Sequence, residues 1–225
     1  MALGESVRNI VLELGLKTLL SYLLGSLNGS LLLGSIMGGP DIRSVGSGNA
    51  GGTNALRARG KWFALAVMII DVGKGFLAVS WLPGMQLPAV GLEPVLTPMA
   101  ITLSVGAAVI IGHCYPVWFG FSGGKGAATA VGVLIALSPM LLVPCVVTWV
   151  LVVAITGYVG LATMLAAAVL PLFVAVTRVQ ESGELLVFLL LLALFILYTH
   201  RANISRMIHR QENRVVGLMI RRRHR

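Results

Sequence analysis

This chain is poor in charge. Asp, Glu, Lys and Arg make up only 11% of its 225 residues, against about 25% in ordinary globular chains. With a mean hydropathy of +0.92, that scarcity excludes a water-soluble domain. Acidic residues are rarer than basic ones, eight against seventeen, and no cluster of Cys, His, Asp and Glu has metal-ligand spacing. There are two cysteines, Cys114 and Cys145, both in or beside apolar segments, so neither a disulfide framework nor a metal cluster is indicated. The first residues carry both charge signs and no small-residue cleavage site follows, which argues against a removable signal peptide.

What the sequence has is apolar runs of membrane-crossing length. About twenty residues at 1.5 Å rise cross the roughly 30 Å hydrocarbon layer. Runs of this kind lie at 14–37, 61–82, 95–111, 126–137, 140–156, 158–176 and 184–199. The expected fold is therefore an all-α polytopic membrane protein of about seven transmembrane helices, the fourth run being the shortest. Gly25, Ser26, Gly29 and Ser30 give the first run a small-residue, close-packing face. A Pro- and Gly-rich link from Pro83 to Pro94 joins the second and third. One transmembrane domain is expected over 1–206, followed by a basic tail over 207–225.

Lysine and arginine fix the orientation of such a bundle. Seven crossings put the termini on opposite sides. Eight arginines stand from Arg201 onward, and with Arg43, Arg57, Arg59, Lys61 and Lys125 they bring thirteen basic residues to one face, against Arg8, Lys17 and Arg178 on the other. The expectation is a cytoplasmic C-terminus and cytoplasmic glycine-rich loops, with the N-terminus outside. The formal charge of +9 then points to anionic lipid head groups rather than nucleic acid.

Between the first two runs lies the most polar loop of the chain, Asp41–Arg57, reading DIRSVGSGNAGGTNALR. Gly46, Gly48, Gly51 and Gly52 permit positive φ and close backbone approach, so successive amides can converge on an anion. Ser47, Asn49, Thr53 and Asn54 add neutral donors, and Arg43 and Arg57 add planar forks suited to phosphate. The loop opens into a helix whose N-terminal amides also favour an anion. Gly46, Gly48 and Gly51 satisfy the dinucleotide fingerprint G-x-G-x-x-G, but that pattern has meaning only after a strand in a βαβ unit.

A second motif runs Gly112-His113-Cys114-Tyr115-Pro116, then Phe121-Ser122-Gly123-Gly124-Lys125-Gly126. A nucleotide P-loop fails here at two positions, where Phe119 and Gly126 stand. A lysine in a glycine-rich turn at a helix start remains, a second place to hold phosphate. The third motif is Thr199-His200-Arg201-Ala202-Asn203-Ile204-Ser205-Arg206, with His200 and Asn203 on one helical face. In the second apolar run Asp71 and Lys74 lie three residues apart, as a mutually neutralising packing pair or as site participants.

These motifs, in this order, resemble the integral-membrane acyl-phosphate:glycerol-3-phosphate acyltransferases of bacterial phospholipid synthesis. The matching residues are Asp41, Arg43, Gly46-Ser47-Gly48-Asn49, Gly51, Thr53-Asn54 and Arg57, then Asp71, Lys74 and Gly75. Gly112-His113, Pro116, Phe121, Gly123-Gly124-Lys125-Gly126, His200-Arg201, Asn203-Ile204 and Arg206 complete them. The resemblance implies acyl transfer from acyl phosphate to the 1-hydroxyl of sn-glycerol 3-phosphate in the bacterial inner membrane. Membrane lipids are the other expected partners, and no cofactor, metal or covalent enzyme intermediate is implied.

The same resemblance assigns Ser47, Gly48, Asn49, Thr53, Asn54 and Arg57 to phosphate and glycerol phosphate. Lys125, with Gly123 and Gly124, is assigned to the acyl phosphate. His200 and Asn203 are expected to orient the hydroxyl or polarise the carbonyl. His113 is catalytic or a helix-end hydrogen bond, and Asp71, Lys74, Arg43 and Arg206 support the site. The family usually carries serines after the Tyr158 turn, where this chain has Gly160 and Thr163. The His-x-x-x-x-Asp pattern of thioester-using acyltransferases is missing, since Trp118, Ser205 and Arg214 follow His113, His200 and His209 at that spacing. A small-anion or glycerol-phosphate transporter is the rival class, and it predicts internal repeats that the two halves do not show.

Overall fold

A computed structural model describes residues 2–87, 97–179, 182–215 and 219, with side chains from Val11 onward. The link beyond residue 87, the start of the third apolar run and Arg221, Arg222, Arg223 and Arg225 of the tail lie outside the described residues. The chain divides into two compact units, 1–137 and 138–225.

The first unit holds α1 (Ala2–Gly25), α2 (Gly29–Met37), α3 (Gly52–Trp81), α4 (Pro98–Cys114) and α5 (Ala127–Leu137). Small residues set its contacts. A Cβ on Gly25 would fall on the Val109 backbone and one on Gly112 on the Tyr22 carbonyl, so α1 and α4 cross backbone to backbone. Gly75 and Gly132 do the same for α3 and α5, against Thr129 and Val72.

The first apolar run is not one helix. It breaks at Ser26–Asn28, and α1 and α2 meet at 49°. At the break Asn28 leaves helical geometry (φ −71, ψ 121) and its side chain caps α2 by accepting from Leu31 N. The second helix also differs from expectation, beginning at Gly52 rather than Lys61 and kinking at Gly60, whose φ of 83 and ψ of −179 lie outside the helical region. A turn carrying Thr53 and Arg57 therefore precedes the long apolar part.

The second unit holds α6 (Leu142–Thr156), α7 (Val159–Thr177), α8 (Gly183–Thr199) and α9 (Arg201–Ile208), the last pair bent by 54° at His200. Among the described residues four helices are long and apolar enough to span, or up to six if each bent pair counts as one span. The expected fourth crossing is the 11-residue α5, only about 16 Å long at 1.5 Å per residue.

Candidate active site

The glycine loop of the first unit rests on an apolar floor of Leu31, Ile42 and Ala50, against which Phe119 of the second motif packs. Asp41 opens the loop by accepting from Arg43 N at 2.8 Å and pairing with the Arg43 guanidinium, Nη2 to Oδ2 at 2.7 Å. The Arg43 hydrogen bond holds the Asp41 carboxyl below the usual carboxylate range, and the Asp41 hydrogen bond raises Arg43. Arg43 Nη1 donates to Phe119 O at 2.8 Å and Ser122 O at 2.9 Å. It therefore clamps the first motif loop to the second rather than offering its fork to a ligand.

Asn54 turns inward. Its Nδ2 donates to Ile42 O and Val45 O, both at 2.9 Å, and its Oδ1 accepts from Ser47 N at 3.0 Å. The expected ligand is thus a brace of its own loop. Only Gly46 and Gly48 of the four loop glycines take positive φ, and Gly48 N donates back to Val45 O. The open end of the loop is the start of α3, where Gly51 provides no side-chain cap. Asn49 Nδ2 overhangs this point, close enough to meet a Cβ on Gly51. Thr53 and Arg57, four residues apart on one face, are exposed.

The second motif folds back on the carboxyl end of α4. Gly123 N donates to Cys114 O at 3.0 Å and Gly124 N to His113 O at 3.1 Å, so these amides cap a helix instead of facing a phosphate. Tyr22 Oη donates to Tyr115 O at 2.7 Å, and Ser26 Oγ accepts from Val117 N at 3.3 Å. Lys125 is half-buried just ahead of α5.

His113 is 2% exposed. Its Nδ1 lies 3.1 Å from Lys74 Nζ and 3.3 Å from Asp71 Oδ1, and its imidazole fills the space a Cβ on Gly124 would need. That geometry fits the helix-end alternative for His113. Asp71 and Lys74 pair at 2.9 Å. Asp71 Oδ1 also accepts from Gly29 N at 2.9 Å, and Lys74 Nζ donates to Leu27 O at 3.0 Å. These charges hold both sides of the α1–α2 break.

In the second unit, His200 Nδ1 lies 2.8 Å from Ile196 O. Because a carbonyl can only accept, this contact fixes the tautomer in which Nε2 is the acceptor nitrogen. Asn203 Nδ2 donates to Glu212 Oε1 at 2.8 Å, and Arg206 Nε pairs with Glu212 Oε2 at 2.6 Å. The tail joins this unit further along. Arg214 stacks on Tyr158 at 4.6 Å, and Val215 N donates to Gly157 O at 2.9 Å. Thr163 Oγ1 donates to Val159 O and accepts from Trp149 Nε1, so its hydroxyl is used within the helix bundle.

Sequence reading missed Asn28 and Glu212. A lone asparagine in an apolar run and a lone acid in a basic tail are the signals that could have marked them.

The bundle and these motif loops define a multi-pass, all-α membrane protein with polar machinery at its helix ends. The model of the family described as glycerol-3-phosphate acyltransferase matches residues 16–210, and the chain belongs to that family. The glycerol-3-phosphate acyltransferase of Chlorobium luteolum is 38% identical over 219 residues, covering 87% of this chain and 93% of that one. The relative of the same name from Pelodictyon phaeoclathratiforme is 39% identical over 219 residues, with the same coverage. Among solved structures, the glycerol 3-phosphate form of PlsY (YgiH), an integral membrane glycerol 3-phosphate acyltransferase, is similar at TM-score 0.76 and 32% identity, covering 89% of this chain and 94% of that one. The lysophosphatidic acid form of that protein matches at TM-score 0.73 and 31% identity, with the same coverage.

Proposed function

We propose that this protein transfers a fatty acyl group from acyl phosphate to the 1-hydroxyl of sn-glycerol 3-phosphate, releasing lysophosphatidate and inorganic phosphate. The observation that carries the reading is the uncapped start of α3, with Thr53 and Arg57 exposed in its first two turns, beside a loop braced internally by Asn54. Two forms of a solved relative, glycerol 3-phosphate and lysophosphatidic acid, are consistent with acceptor and product.

In this reading Arg57, Thr53, Ser47 and Asn49 bind the phosphate of glycerol phosphate, and Lys125 binds the acyl phosphate. The hydroxyl oxygen attacks the acyl carbonyl carbon and the bond to the phosphate oxygen breaks. The hydroxyl proton leaves to His200 Nε2 or to a phosphate oxygen, whose second pKa is near about 6. Positioning and fixed cations supply the acceleration as charge develops on the departing phosphate. No covalent enzyme intermediate and no metal enter this route. Asn203 orients the hydroxyl or polarises the carbonyl.

Purified protein should form lysophosphatidate from acyl phosphate and glycerol 3-phosphate, with the rate unchanged by EDTA. Full activity with an acyl thioester alone, or loss on chelation, overturns the mechanism. The membrane reading places the motif loops and the C-terminus in the cytoplasm and the N-terminus outside, from the basic-residue asymmetry. A Ser44→Cys protein in intact cells should resist an impermeant thiol reagent; labelling from outside would reverse that orientation.

A further inference from the structure

Among the described residues, Asn28 joins both motif loops of the first unit from the α1–α2 break, in addition to the Arg43 clamp between the loops themselves. Asn28 is 0% exposed. Its Nδ2 donates to Ala50 O at 3.2 Å, in the glycine loop, and to His113 O at 3.4 Å, where the second motif folds back on α4. Its Oδ1 accepts from Leu31 N at 3.3 Å and from Ser30 Oγ at 3.0 Å. Both contacts on one end are carbonyls and both on the other are donors, so the amide has a single workable orientation.

The buried charges account for how this residue is presented. Lys74 holds the carbonyl of Leu27 and Asp71 the amide of Gly29, so the main chain on each side of Asn28 is pinned to α3. His113 closes the circuit: its ring contacts Asp71 and Lys74, while its carbonyl receives Asn28 Nδ2 and Gly124 N. Two other side chains of the first apolar run reach the second loop without touching the first, Tyr22 at Tyr115 O and Ser26 at Val117 N.

We infer that Asn28 is a positioning residue that fixes the spacing between the two motif loops, and that the Asp71–Lys74 pair exists to present it. Glycerol phosphate and acyl phosphate each bind through their own loop, so the spacing governs the encounter of hydroxyl and carbonyl rather than the affinity of either. Misplacement of reacting groups by about 1 Å can cost on the order of 100-fold in rate. The consequence for turnover rests on the proposed acyl transfer, whereas the brace itself does not.

Asn28→Ser separates the brace from the cap. Serine caps a helix as well as asparagine, but its side chain is too short to reach both carbonyls. In the substrate-free, full-length protein, amide hydrogen exchange of peptides covering 41–57 and 116–126 should accelerate at least tenfold together, with peptides in 142–177 unchanged. Tyr22→Phe should accelerate 116–126 alone. In the wild type the two peptides should open with the same denaturant dependence, a measurement that requires no variant. Turnover of Asn28→Ser should fall about tenfold with KM for glycerol 3-phosphate within twofold of wild type.

Unchanged loop exchange in Asn28→Ser, acceleration spread through the whole chain, or unlike opening of the two loops in the wild type overturns the brace. Looser loops with wild-type turnover overturn the positioning role. A wild-type protein inactive toward acyl phosphate refutes the proposed reaction instead, and the exchange results still decide the brace.

Discussion

Asn203 donates its side-chain amide to Glu212 at 2.8 Å, so the motif residue at the end of the apolar chain is oriented by a carboxylate from the tail. The other oxygen of Glu212 holds Arg206. Glu212→Gln keeps an acceptor for Asn203 and removes the charge that Arg206 pairs with. The expected cost is about 1.5–3 kcal/mol, the range for a hydrogen bond to a charged group, read as a lowered thermal midpoint in detergent. An unchanged midpoint would show that the Glu212 charge does not fasten this unit.

Gly160 lies against the same side chain. A Cβ there would stand 2.7 Å from Asn203 Nδ2 and 3.1 Å from its Cβ. Glycine in place of the serine usual in the family is thus matched to the position of Asn203. Gly160→Ala should displace Asn203 and lower kcat by about tenfold, about 1.4 kcal/mol, with the thermal midpoint little changed. Wild-type kcat would detach Asn203 from the chemistry.

Arg57 is exposed at the open end of the glycine loop. Arg57→Lys keeps the charge and loses the planar fork. If the fork holds glycerol phosphate through two hydrogen bonds, kcat/KM for that substrate should fall more than tenfold, about 1.4 kcal/mol, while KM for the acyl donor stays put. Equal changes for both substrates would place Arg57 elsewhere in the mechanism.

Gly60 carries the turn with Arg57 on one side and the long apolar part of α3 on the other. Its φ of 83 and ψ of −179 belong to a region open essentially to glycine alone. No heavy atom stands within 4 Å of a Cβ built there, so Gly60→Ala tests backbone conformation without a packing clash. Straightening of the kink should cost on the order of 1–3 kcal/mol and raise KM for glycerol 3-phosphate by swinging Arg57 away. Unaltered kinetics and stability would mean that the kink does not position Arg57.

The sequence by itself determined the membrane class, the apolar segments and the three motifs, because hydropathy and glycine spacing act locally along the chain. It also marked Asp71 and Lys74 as a pair, since three residues on a helix is a fixed distance. What it left open is where polar atoms point. Asn54, Gly123 and Gly124 carry the composition of ligands, yet their donors go to Ile42, Val45, Cys114 and His113. A buried amide or N–H must find a partner, and which carbonyl it meets depends on segments far apart in sequence. The same holds for the break at Asn28 inside an unbroken apolar run, for His113 packed into a charged core, and for Glu212 returning nine residues to meet Asn203. Those decisions belong to tertiary structure, because each depends on a contact between segments rather than on a residue's own preference.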